Sequence, residues 1–365
     1  MADQRLTSIE IEGFTSIRSA RVELSDLNVL VGANGAGKSN FIRAFELLGR
    51  MAERKLGLFV GVNGGANMLL NHAGDPPRIR ILLDATNSGY EATLVPTVED
   101  AFVFESEGLR RDTADSEASN STPGASGYPE SQLHEPRAIE LLQGCRVFHF
   151  HDTSFDAPVK TRTSTADNVS LRSDAGNLAA VLLALRTGED RAAKVAYRRI
   201  VGAIRLVAPF FDDFVLQPEG GTEYIRIRWQ QQGSDAVFSA NQMSDGTLRF
   251  VCLATLLLQP KLPGLVVLDE PELGLHPYAI VQLADMLRQA AARSQVLIAT
   301  QSVTLMNQFT ASDLVVVERE NGNSVFTRPE PAALRNWLDE YSLGELWEKN
   351  LIGGQPGSTG SVLNG

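Results

Sequence analysis

Gly32, Gly37, Lys38 and Ser39 stand in "GANGAGKSN" at the spacing G-x-x-x-x-G-K-[ST]. Residues of these types at this spacing suit one task, which is holding a polyphosphate. Glycines let backbone N–H groups turn inward around phosphate oxygens, and a helix that starts there adds its positive end. The lysine ammonium reaches the terminal phosphates, and the neighbouring hydroxyl suits a divalent cation. Asn34, Gly35, Gly37, Lys38, Ser39 and Asn40 are therefore the candidate nucleotide contacts. The flanks agree with this. Leu27 to Val31 is an apolar run that reads as a buried strand, and Phe41, Ile42, Phe45, Leu48 and Met51 recur afterwards at helical spacing.

Polyphosphate chemistry needs two further groups, a carboxylate to complete a Mg²⁺ shell and something to orient the attacking water. "LVVLDEPELGLHP" offers both at a strand's end. Asp269 is placed to hold Mg²⁺ together with Ser39, and Glu270 to polarise water in line with the terminal phosphate. Two adjacent carboxylates at the end of a buried strand have few structural uses, because leaving them unpaired is costly. "MSDGTLRF" puts Ser244 at the N-cap of a helix running to Leu258. The backbone around Asp245 and Gly246 is then a second anion site. Gln301, after the strand "QVLIAT", keeps hydrogen-bond donors but carries no titratable charge. His149 and His151 alternate along an expected strand, where a structural histidine is the plain account. No Cys or His cluster accompanies them to make a zinc site.

The elements around these residues follow from periodicity. Ile9 and Ile11, then Val22 and Leu24, alternate with charged residues and predict a hairpin leading into the strand before the glycine loop. Two or three strands are expected between 79 and 105, helices near Leu178 to Leu185 and Arg191 to Leu206, and strands around "YIRIRW". From Ser244 onward helix and strand alternate, which predicts a parallel sheet. Pro277 suits the first turn of a helix whose inner face is Ile280, Ala284, Leu287 and Ala291, and Asn321-Gly322 marks a hairpin turn. The Ser-, Gly- and Pro-rich stretch 108–136 predicts a mobile loop, and the chain after about Asn350 predicts a loose tail. The expected division is 1–107, a lobe with the phosphate loop; 108–136, the loop; 137–240, middle strands and a helical arm; 241–330, the second lobe; and 331–365, a closing helix and tail.

The net charge of −11 over 365 residues advertises no nucleic-acid-binding surface, so any DNA contact must come from a local basic face. Two distant cysteines, Cys145 and Cys252, suit a reducing cytoplasm. No signal-like core opens the chain, and its apolar runs are too short to span a bilayer, so a soluble cytoplasmic protein without membrane contact is expected.

Taken together, "GANGAGKSN", "MSDGTLRF", "LDEPELGLHP" and "ATQS" resemble the RecF-like and SMC-like branch of ABC-type ATPases, among the predicted bacterial AAA-family ATPases. "FHFHD" and "YSLGELWEKN" are also similar to that group, and the resemblance covers about residues 5 to 350. It implies an α/β P-loop NTPase with a mixed sheet, a parallel core, antiparallel N-terminal strands and a helical insertion between glycine loop and signature. It implies ATP and Mg²⁺ as cofactors and an ATP-dependent homodimer, or higher oligomer, closing head-to-tail. Ser244, Asp245 and Gly246 would then cap the γ-phosphate held by a second chain. In such relatives a Gln senses Mg²⁺ near "FHFHDTS". This chain has none there, so His151 or Asp152 stands in its place, with a structural histidine as the alternative. His276 either caps the next helix or contacts the partner's nucleotide. Gln301 stands where a His often touches the γ-phosphate, which leaves hydrolysis possible and its rate open.

The resemblance further implies a clamp or switch working with DNA or with a separately encoded nuclease-like effector in antiphage defence. A repair or recombination clamp and a non-hydrolysing scaffold are the alternatives. A transporter subunit is disfavoured by the signature variant and the long insertion, and any nuclease is expected to be a separate polypeptide.

Overall fold

The computed structural model describes residues 5–74, 76–110 and 127–354. The chain opens with β1 (Leu6–Phe14), β2 (Ile17–Glu23), β3 (Leu27–Val31), α1 (Lys38–Ala52), α2 (Leu56–Val62) and α3 (Ala66–Leu69). Next come β4 (Ile79–Ala85), β5 (Ser88–Pro96), β6 (Phe102–Arg110), α4 (Pro136–Gly144) and β7 (Cys145–Phe148). The middle holds β8 (Thr163–Ser164), α5 (Leu178–Thr187), α6 (Arg191–Val207), β9 (Phe211–Phe214), β10 (Tyr224–Ile225), β11 (Arg228–Gln231) and β12 (Val237–Ser239). Then follow α7 (Asp245–Leu258), β13 (Leu265–Asp269), α8 (Pro277–Ala291), β14 (Gln295–Thr300) and α9 (Val303–Met306). The last elements are β15 (Leu314–Glu320), β16 (Asn323–Thr327), α10 (Pro331–Leu338) and α11 (Leu343–Glu348).

Two compact units share this chain. The first comprises residues 1–147, 263–267 and 295–365, and the second 148–262 and 268–294. In the first unit, alternating residues build a five-stranded antiparallel sheet in the order β2-β1-β4-β5-β6. The six-stranded sheet runs β16-β15-β3-β14-β13-β7, with β14 and β15 both parallel to β3. All five residues of β3 are buried, as a central strand of mainly apolar sequence requires, and the one polar residue, Asn28, donates from Nδ2 to the Ser25 carbonyl at 2.8 Å. The apolar face of α1 supplies Phe41, Phe45, Leu48 and Met51 to a core shared with Ile9, Ile11, Phe14 and Val315. Each such side chain contributes about 1.5–3 kcal/mol by leaving water. The loop at the head of α1 is thus anchored from both ends.

The second unit is mainly helical. In α7 every residue from Phe250 to Leu258 is buried, so this helix is apolar nearly all round. The inner face of α8 is Ile280, Ala284, Leu287 and Ala291, as its spacing predicts. α6 buries Tyr197, Ile200, Val201 and Ile204 and turns its other side to solvent. A small sheet, β12-β11-β9, stacks Trp229 on Phe238 at 4.8 Å.

Three expectations need correction. Gly108 to Arg110 belong to β6, and the far flank of the expected mobile loop is tied down. Glu107 is buried and accepts from Tyr90 Oη at 2.8 Å, Ser131 Oγ at 2.7 Å and Gln132 N at 3.1 Å. Burial, then the Glu107 carboxylate, pushes the Tyr90 phenol well above its ordinary range. Glu130 accepts the first N–H groups of α2, from Leu56 and Gly57. A composition rich in small polar residues hid these few specific anchors. The remainder of that stretch, 111–126, lies outside the described residues. The tail is likewise not loose as far as Gly354, for reasons given below. Finally, β7 ends at Phe148, so His149 and His151 follow the strand and do not alternate along it.

Candidate nucleotide site

β3 ends at Val31 and α1 begins at Lys38, so the glycine loop joins a buried strand to a helix with no spare residues. The cap residue Gly37 sits at φ 117°, a conformation that favours glycine, and no side chain caps the helix. The first-turn N–H groups of a helix have no intrahelical partners, which makes the head of α1 a candidate anion site. Lys38 is only 5% exposed, and its Nζ donates to the Gly32 and Ala33 carbonyls at 2.6 and 3.0 Å. That holds the ammonium beside the loop. Gly35, with φ 76°, is exposed, and a Cβ there would meet nothing within 4 Å. These residues fit a nucleotide polyphosphate. Ser39 is exposed at the first turn, where a hydroxyl can ligate a metal ion.

Other elements of the same unit support the loop from outside. Gln301, just past β14, donates from Nε2 to Asn34 Oδ1 at 2.6 Å. Arg319 of β15 donates to the Gly35 carbonyl at 3.1 Å. The Ala33 N–H donates to the Gly354 carbonyl at 2.7 Å, while the Gly354 N–H donates to Glu318 Oε1 at 2.9 Å. The tail that composition marked as loose is therefore latched to the head of the glycine loop. Sequence reasoning missed Arg319 and Gly354 because nothing local marks either residue.

The second unit holds the other candidates. β13 delivers Asp269 at its carboxyl end, and Glu270 follows at φ 41°, an uncommon conformation for a residue with a side chain. Such a backbone persists only where its surroundings dictate it, and it turns Glu270 sharply off the strand axis. Asp269, Glu270, His151 and Arg249 line one small cavity, together with Phe148, Phe150, Leu253, Leu268 and Pro271. His151 is thereby brought to the carboxylate pair. Asp152 is exposed, its carboxylate holding the Ser154 hydroxyl at 2.6 Å and the Ser154 N–H at 3.0 Å, and these bonds set its pKa below the usual value. His149 is exposed outside that cavity.

Ser244 caps α7, accepting from the Thr247 N–H at 3.2 Å, and both Ser244 and Asp245 are exposed. Gly246 has a steric reason to be glycine, since a Cβ would lie 2.4 Å from the Gly274 carbonyl oxygen. Arg249, one helical turn on, donates to the Leu273 and His151 carbonyls, each at 2.9 Å. One guanidinium thus ties the head of α7 to the loop after the carboxylates and to the "FHFHD" stretch. Sequence reasoning passed over Arg249, although a fixed cation inside "MSDGTLRF" was a usable signal. His276 caps α8, its Nδ1 accepting the Tyr278 N–H at 3.3 Å.

A family described as "AAA domain, putative AbiEii toxin, Type IV TA system" matches residues 27–307. No curated protein matches. Among solved structures, an Smc head bound to the C-terminal winged-helix domain of ScpA aligns with a TM-score of 0.59 at 15% identity, covering 92% of this chain and 99% of that one. An Smc head with an extended coiled coil from Pyrococcus furiosus, bound to the ScpA C-terminal domain, gives 0.58 at 14% identity with the same coverage. An Smc head with coiled coil and joint from Pyrococcus yayanosii gives 0.56 at 12% identity, again covering 92% and 99%.

Proposed function

The chain belongs to this AAA-domain family and has the fold of an SMC-like, ABC-type P-loop ATPase, and from that premise we propose that it is an ATP-hydrolysing switch that closes as a head-to-tail dimer. The observation that carries this reading is the uncapped head of α1, with Lys38 pinned beside it. Lys38 and the loop N–H groups bind the polyphosphate. Ser39 and Asp269 are the residues that would hold Mg²⁺, which would supply neutralisation of developing charge on the phosphates. Glu270 accepts a proton from the attacking water, and its sharp turn off β13 aims it away from the strand. Gln301 donates to the γ-phosphate from its place beside Asn34. Ser244, Asp245 and Gly246 cap the nucleotide of the second chain, and the exposure of Ser244 and Asp245 at the start of α7 supports an intermolecular role. Glu270→Gln is expected to bind ATP normally and to hydrolyse it about 10²–10⁴-fold more slowly. A single-turnover phosphate-release assay checks this, and wild-type-like turnover would contradict the assignment of Glu270.

The family description, which includes the words "putative AbiEii toxin, Type IV TA system", supports a defence role, and a separately encoded effector is our proposal for how it is exercised. A repair or recombination clamp acting on DNA is the second reading, and one observation favours it. α6 contains Arg191, Lys194, Arg198, Arg199 and Arg205 and no acidic residue, in a chain of net charge −11. All five are exposed, and three of them, Arg191, Lys194 and Arg198, lie along one edge of the helix. Lys194→Glu with Arg198→Glu tests it. Loss of salt-dependent duplex binding supports the clamp, and a wild type that binds no duplex removes it.

A further inference from the structure

Ser16 and Ser324 lie far apart in sequence and belong to neither the glycine loop nor any motif, yet their hydroxyls meet at 2.7 Å against the loop. Both residues are buried, at 7% and 2% exposure. Ser324 Oγ lies 2.6 Å from the Ala36 carbonyl. A carbonyl can only accept, so the single Ser324 hydrogen goes to Ala36. The Ser16 hydroxyl must then donate to Ser324 Oγ, which leaves Ser16 Oγ to accept. It does accept, from Asn40 Nδ2 at 2.8 Å. The direction of every bond is therefore fixed. A chain of hydrogen bonds runs from Asn40 through Ser16 and Ser324 to Ala36.

The two ends of that chain bracket Gly37, Lys38 and Ser39, the turn from the glycine loop into α1. A Cβ on Gly37 would lie 2.0 Å from Ser324 Oγ, so the hydroxyl rests directly against the loop at its φ 117° residue. The supports behind the two serines are also specific. The Ser324 N–H donates to the Ser16 carbonyl at 2.8 Å. Asn71 Nδ2 holds the Thr15 carbonyl at 2.9 Å and Asn323 Oδ1 at 3.2 Å. Ser16 sits in the β1–β2 turn and Ser324 on β16, so a turn of one sheet and a strand of the other meet against one loop.

We propose that Ser16 and Ser324 are positioning residues for nucleotide binding, a hydroxyl pair that sets the aim of the loop N–H groups through Ala36 and Asn40. This rests on the reading of the glycine loop as the ATP site. Neither hydroxyl touches the nucleotide, so the effect falls on affinity through the geometry of the cradle. Hydrogen bonds in a buried chain support one another, and cutting the chain at either serine releases the same constraint.

The test is calorimetric titration of Mg·ATP into the full chain and into Ser324→Ala, Ser16→Ala and the double variant, with kcat and KM measured beside it. Ser324→Ala is expected to raise the Kd about five- to tenfold, the scale of one buried hydrogen bond, with stoichiometry near one site per chain. KM should rise with Kd while kcat changes less than twofold. The double variant should bind within about twofold of the weaker single variant, because coupled residues are not additive. Ser324→Thr, which keeps the hydroxyl, should restore affinity. A merely structural role would lower stoichiometry and melting temperature while leaving the Kd of the folded fraction unchanged, and that pattern overturns the proposal. So does a double variant whose effect equals the product of the singles. If Ser324→Ala does not fold, Ser16→Ala cuts the same chain from its other side. A wild-type chain that binds no ATP sinks the nucleotide site itself. A wild type that binds normally beside an unaffected Ser324→Ala sinks only the role of the serines.

Discussion

The glycine loop and the head of α7 are both helix N-termini suited to anions, but they are built in opposite ways. The loop is gripped along its length by Lys38, Arg319, Ser324 and the Gly354 carbonyl, and its lysine and last glycine are buried. The head of α7 leaves Ser244 and Asp245 exposed, supported from behind by the approach of Gly246 to Gly274 and by Arg249. A loop held at several points from behind, with Gly35 and Ser39 open to solvent, is organised to receive a ligand on its exposed side. A capped helix end with open side chains is organised to meet something brought to it. In the proposed head-to-tail dimer, the first arrangement would serve a chain's own nucleotide and the second the nucleotide of another chain.

The most damaging change is expected on the gripped side. Lys38→Ala removes a charge-assisted contact at the centre of the cradle and should abolish measurable Mg·ATP binding in calorimetry. Unchanged affinity would break the comparison at its firm end. On the open side, Gly246→Ala forces a Cβ toward the Gly274 carbonyl. It should lower steady-state hydrolysis about tenfold or more, since the cap must shift to relieve a contact of that kind, while ATP affinity stays at the wild-type value. Arg249→Gln should act in the same direction more weakly, through loss of bonds to two carbonyls worth about 1–3 kcal/mol together. Equal losses of ATP affinity in these two variants would erase the distinction between the two ends.

The smallest effect is expected at Gln301. Its bond to Asn34 is neutral, so Gln301→Ala should reduce turnover only about two- to tenfold. Gln301→His should turn over faster below about pH 6.5, where imidazole gains a proton and a charge-assisted bond replaces a neutral one. As pH rises that advantage should vanish, giving a pH profile that the wild type lacks. Single-turnover rates across pH 5.5 to 8 check both variants, and a flat, wild-type-like Gln301→Ala would remove this residue from the chemistry.

Much of this was legible in the sequence because periodicity and turn chemistry are local. The strand before Gly32, the helix from Lys38, the inner face of α8 and the Asn321-Gly322 hairpin follow from spacing alone, and the structure has each of them. Candidate residues inside motifs were legible for the same reason. What stayed hidden is support that arrives from far along the chain. Ser324 lies 308 positions from Ser16 and 288 from Ala36, and Arg319 lies 284 from Gly35. No local pattern distinguishes these side chains from ordinary strand residues. The Gly354 latch was hidden by composition, since a glycine-rich tail reads as loose until the carbonyl it offers is seen on Ala33.

The central claim is that two chains share each nucleotide, one through Lys38 and the other through Ser244. The most direct measurement is the mass in solution, by light scattering, of Glu270→Gln and of the double variant Glu270→Gln with Ser244→Arg, each with and without saturating Mg·ATP. With hydrolysis slowed, Glu270→Gln should double its mass on addition of ATP and keep it, while the double variant binds ATP equally well and gains no mass because a bulky cation occupies the cap. A single-chain mass for Glu270→Gln at saturating ATP, or ATP-driven doubling that survives Ser244→Arg, would contradict the account.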